Sequence, residues 1–178
     1  MLEVTAINCA GDQTLSMEVA SIVQQGRACD LLRQRGPLLE VHLRITPPRS
    51  LEGAGLDLIQ QVIEAPLAVA SAALALMSHH QANQPLDQRS PRLIITLDQG
   101  CPDSVSESTS APPTAADGDG EATDEYGPLQ HPLMSASSAF WRQWAVAQQR
   151  VLDARGLGPG AGGSDIHVEV ITRSEDAA

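Results

Sequence analysis

Lysine is absent from this 178-residue chain, and aromatic residues make up only 2% of it. Phe140, Trp141, Trp144 and Tyr126 are the whole aromatic stock, so leucine, isoleucine, valine and alanine must build the core. Binding of single-stranded nucleic acid is disfavoured, because it needs exposed aromatic platforms beside basic groups. Positive charge is also scarce: 11 arginines face 22 acids, for a net charge of −11. That balance argues against a polyanionic partner and against an anionic membrane surface. Cys9, Cys29 and Cys101 are few and widely spaced, with no CxxC pair. They suit neither a disulfide framework nor a structural zinc site, and they point to unpaired thiols in a reducing compartment. No basic segment followed by an apolar run opens the chain, so the expected location is cytoplasmic. The most apolar stretch, Leu67–Met77, is too short and too close to Pro66 and Glu64 to span a bilayer. It reads as a buried helix, with no membrane partner expected.

What remains is 42% apolar, ordinary for one globular domain covering residues 1–178. Val4 and Ile7 lie in a short first strand, Leu2–Ile7. Gly11-Asp12 marks a turn. From Leu15 to Leu32 apolar residues recur three or four apart, which predicts a helix capped by Asp12 or Thr14 and stopped by Gly36-Pro37. Leu39–Ile45 alternates strictly, with Glu40, His42 and Arg44 on the polar side. Two helices follow, one from Ser50 and one from Pro66 to Gln81, with Pro66 breaking or kinking the join. Arg92–Asp98 is a third strand. Ser135–Gly156 is a helix with Phe140, Trp144, Ala147, Val151 and Ala154 on one face and Trp141 one position off it. Ile166–Thr172 is the last strand, and residues 173–178 are expected to fray.

The stretch Gln99–Leu133 breaks this pattern. It holds seven acids, no arginine, and many Ser, Thr, Pro and Gly residues. Without apolar periodicity it cannot offset a backbone ordering cost of roughly 1–2 kcal/mol per residue. Residues 102–127 are therefore expected to be a disordered acidic insertion. The resulting fold class is α/β (mixed α+β). It has a mixed sheet of three or four strands, helices mainly on one face, and the insertion between the third strand and the last helix. The polar sides of 39–45 and 166–172 argue against a sheet buried on both faces, since a fully buried parallel strand reads as almost all apolar.

Glu40 and His42 on one strand, and His167 and Glu169 on another, repeat an acid–imidazole spacing. If those strands are neighbours in the right register, the four groups share a face and could hold a divalent metal or act as acid and base. Polar residues on a solvated sheet face need no function, and that is the favoured reading of the four. His79-His80 point about 100° apart on a helix and suit a helix C-terminus better than a metal. Residues 156–164, a glycine-rich run, follow a helix and precede a strand, the reverse of a phosphate loop. Cys101 and Asp98 lie at a strand end, where α/β folds often place functional groups. Neither has a local histidine partner. The Ala-rich helix (Ala68, Ala72, Ala75) and the aromatic set (Phe140, Trp141, Trp144) are ordinary core material or an interface.

These readings favour a non-enzymatic interaction or assembly module that self-associates as a homodimer or binds a protein partner, with no cofactor. The alternatives are a small metal-dependent or acid–base enzyme using His42, His167, Glu40 and Glu169, and a regulatory domain docking a basic partner through its acidic insertion. No residue qualifies as catalytic on the sequence alone.

Overall fold

The first two strands form a hairpin in the computed structural model, which describes residues 1–46, 59–83, 90–99, 127–158 and 165–174. Strand β1 (Leu2–Asn8) pairs antiparallel with β2 (Gln13–Val19). Asn8 makes the turn. Its Oδ1 accepts from the backbone N–H groups of Ala10 at 3.0 Å and Asp12 at 2.9 Å. Gly11 sits at φ 90°, where a side chain would be strained. β2 corrects the helix expected from Leu15. Leu15 and Val19 are four apart, a spacing that serves a strand as well as a helix. The hairpin turn settles the choice, and Leu15, Met17 and Val19 all face the core.

Helix α1 (Ile22–Gln34) therefore begins at Ser21, whose Oγ accepts from Gln24 N–H at 3.2 Å. The Gln24 side chain in turn accepts from Ala20 N–H at 2.7 Å. The pair is similar to an S-x-x-Q capping box, except that Gln24 takes the N–H one residue before the cap, not that of Ser21. Strand β3 (Leu38–Ile45) follows, antiparallel to β1. A π-helical turn (Gln60–Glu64) runs directly into α2 (Ala65–Asn83). Strands β4 (Arg92–Gln99) and β5 (His167–Ser174) are parallel to β3, and α3 (Gly127–Ala154) lies between them in the chain. The five-stranded sheet has the order β2-β1-β3-β4-β5, so the mixed α/β class holds with five strands rather than three or four. The segment expected to be a disordered insertion lies outside the described residues, except Gly127, which opens α3. The helix expected from Ser50 falls largely on residues that are likewise not described.

All three described α-helices pack on one sheet face. The core there includes Leu2, Val4, Val41, Leu43, Ile45, Leu93, Ile95 and Leu97 from the strands. α2 adds Val69, Ala70, Ala73 and Met77, and α3 adds Trp141 and Leu152. Together with the π turn, α2 is long and apolar enough to cross a membrane by length and composition. Here it is a core helix packed on the sheet and on α1.

Pro66, expected to break or kink the join, is the second residue of α2, directly after the π turn. A proline ring collides with the carbonyl four residues back and offers it no N–H. The π turn widens the backbone just before Pro66, with the Ala65 N–H donating to Gln60 O, five residues back. Val62 O, denied a donor by Pro66, accepts instead from the Trp141 indole N–H at 3.1 Å. Trp141 is fully buried, and Phe140 and Trp144 meet it edge to face at 5.3 and 5.5 Å. The buried side of α3 is thus Ser138, Trp141, Ala145 and Leu152, about 100° from the face expected, and Val151 is exposed. Hydrophobicity alone did not separate the two faces. The indole's need for a buried acceptor did.

Candidate functional site

β3, β4 and β5 are joined by helical crossovers, and successive residues of each strand point to opposite faces. The inward residues of β3 and β4 are aliphatic and mostly buried, and those of β5 (Val168, Val170 and Thr172) are half-buried against α3. The outward residues form a second face on which no described element packs. Register sets their rows. Ile7, Glu40, Arg92 and His167 lie across one row, and Ser16, Thr5, His42, Ile94 and Glu169 across the next. Glu18, Glu3, Arg44, Thr96 and Ile171 follow, and then Asp98 beside Arg173.

Strand order decides the metal question. β4 lies between β3 and β5, so the strands carrying His42 and His167 are not neighbours. Two strand spacings, about 10 Å, separate them, and they occupy different rows. Glu40 and His167 flank Arg92, a cation that repels a metal ion, while His42 and Glu169 flank Ile94. Among the described residues no group of three or more metal-binding side chains converges. The four candidates share a face, as their alternation implied, without forming one site.

His42 is half-buried, and its Nε2 is joined to Thr96 Oγ1 by a 2.7 Å hydrogen bond. Burial lowers its pKa below the ordinary 6.5, opposed by the nearby Glu40 charge and assisted by Arg173 and Arg44. Thr96 is fully buried although it points to the open face, because the His42 ring and its strand neighbours cover it. Arg44 Nε donates to Asp98 Oδ2 at 2.5 Å, and its Nη1 lies 3.7 Å from Glu3. Thr46 Oγ1 donates to the same Asp98 oxygen at 3.2 Å. Asp98 is thus a tie between β3 and β4 rather than an isolated acid at a strand end.

The remaining candidates are accounted for locally. Cys9 Sγ donates to Pro37 O at 3.2 Å, and Cys29 Sγ lies 4.0 Å from Ala68 O, with burial pushing its thiol pKa up. Neither thiol is in a disulfide, and Cys101 lies outside the described residues. Ala68 lets α1 approach α2 closely, Ala72 is half-buried and Ala75 is exposed. Trp141 has no surface to present to a partner, whereas Phe140 and Trp144 keep some. His79 lies at the exposed end of α2, where Asn83 Nδ2 donates to its carbonyl at 2.8 Å. In the glycine-rich run, Gly156 takes φ 71° just past α3, and a Cβ on Gly158 would collide with Asp153. Those glycines turn the chain and pack it, and residues 159–164 lie outside the described residues. No family model, no curated protein and no solved structure matches this chain.

Proposed function

We propose that this protein is a non-enzymatic assembly module that pairs with a second copy of itself through its open sheet face. The observation that carries this reading is the side of β3, β4 and β5 on which no described element packs. Parallel strands almost always have both faces covered, and among the described residues helices cover one. The open face spans five strands at about 4.8 Å and strands of about 25 Å, on the order of 600 Å² of projected area. Standard interfaces bury about 800 Å² per partner, so the face suits a modest, reversible dimer.

Charge favours a second copy over a strongly charged partner. The only charged residues that β1 and β2 present there, among those described, are the acids Glu3 and Glu18. β4 and β5 carry Arg92 and Arg173 along with Asp98 and Glu169. A two-fold axis parallel to β3 would lay the β1–β2 side of each copy over the β4–β5 side of the other, bringing Glu18 toward the partner's arginine at 173. Such isologous pairing is the commonest oligomer geometry. Half-buried Ile7, Ile94 and Ile171 supply apolar area between the charges. The test is a charge exchange read by sedimentation equilibrium. Glu18→Arg alone and Arg173→Glu alone should each weaken the dimer, and the double variant should recover it. Equal loss in the double variant would rule this geometry out.

A further inference from the structure

β5 closes one side of the sheet, and the start of its outer edge is already occupied. Gln149 of α3 lies along it: its Nε2 donates to Ile166 O at 3.2 Å, and Val168 N–H donates to its Oε1 at 3.2 Å. A single side-chain amide here does what a neighbouring strand's peptide group would do. One step earlier, Ile166 N–H donates to Leu157 O at 2.9 Å. Strand alternation turns the N–H and C=O of Val170 and Thr172 to that same outer side, and no described strand lies beyond them.

α3 runs antiparallel alongside this edge, with Gln149 at the start of β5 and Arg142 at its end, where Arg142 Nη2 donates to Thr172 Oγ1 at 3.1 Å. A shallow depression of about 390 Å³ on α3 is lined by Arg142, Gln143, Val146, Ala147 and Arg150. Val146 is 53% exposed and lies one helical turn from each arginine. In a chain with twice as many acids as arginines, neither Arg142 nor Arg150 has an acidic partner among the described residues.

We infer that the β5 edge, together with the Arg142–Val146–Arg150 side of α3, is a docking surface for an extended acidic peptide segment of a partner protein. The segment adds as a sixth strand against Val170 and Thr172, and its carboxylates meet the two guanidinium groups. Charge decides against a second copy at this edge. Antiparallel pairing of two β5 strands would bring Arg142 and Arg150 of both copies together. This surface is separate from the open face, so the inference does not rest on the self-association proposed above.

The test uses the full chain and a fluorescein-labelled eight-residue peptide alternating aspartate or glutamate with valine, read by fluorescence polarisation. An otherwise identical peptide with asparagine and glutamine replacing the acids is the control. The acidic peptide should bind at least about tenfold more tightly than the amide control, and Arg142→Gln with Arg150→Gln should weaken it by about tenfold or more. Both arginines are exposed, and an unchanged urea midpoint is the check that this variant folds. Val170→Pro removes an outward N–H without touching the β4 ladder, and it should also weaken binding. No binding of the acidic peptide, equal binding of the amide control, or full affinity in the double-arginine variant would each overturn the inference.

Discussion

The bond between Trp141 and Val62 O joins two segments 79 residues apart and is fully buried. Trp141→Phe keeps a ring but deletes the donor, and Pro66 has no N–H to take its place. An acceptor left unpaired inside the core costs about 1–3 kcal/mol, and the smaller ring leaves a void costing roughly 1 kcal/mol more. A total of about 2–4 kcal/mol should lower Tm by roughly 5–15 °C for a chain of this size. The cause is separable from the void. Pro66→Ala restores a backbone N–H next to the same carbonyl, so it should recover about 1 kcal/mol more in the Trp141→Phe background than in the wild type. Urea unfolding of the four proteins, with unchanged m-values, measures this coupling. If Trp141→Phe costs under about 1 kcal/mol, or Pro66→Ala acts equally in both backgrounds, the proposed compensation does not exist.

Gln149→Ala should cost about 1–2 kcal/mol by leaving Ile166 O and Val168 N–H without partners, and Val168 should exchange its amide proton faster by NMR. His42 has a pKa lowered by burial, so the unfolded chain takes up its proton first. Its contribution to stability should therefore fall as pH drops through about 6.5 and level off below the folded-state value. His42→Gln should flatten that part of the urea-midpoint profile, and an NMR pKa at or above 6.5 would contradict the burial argument. Arg44 is 48% exposed despite its two acidic neighbours. Arg44→Gln should accordingly change stability by less than about 1 kcal/mol, with the difference shrinking in high salt.

The strands most legible in the sequence were those with one choice of period. Leu39–Ile45, Arg92–Asp98 and Ile166–Thr172 alternate over enough residues that no helix fits them, and they became β3, β4 and β5. β2 was hidden because Leu15 and Val19 suit both periods. The deciding signals were the Asn8–Gly11 turn and the Ser21–Gln24 cap, which together end a strand and start a helix in the space of one expected helix. The buried face of α3 depended on an acceptor contributed from across the fold, which local patterning does not encode. The same holds for the histidines. Alternation placed His42 and His167 on one face, but the insertion of β4 between them is a property of the crossover connections and has no local signature.

Sedimentation equilibrium of the wild-type chain across micromolar concentrations bears most directly on the account. A mass rising toward twice 18.8 kDa with increasing concentration, and held at the single-chain value by Ile94→Arg on the open face, is the expected result. A wild-type chain that stays at the single-chain mass throughout, or an Ile94→Arg variant that associates just as well, would contradict it.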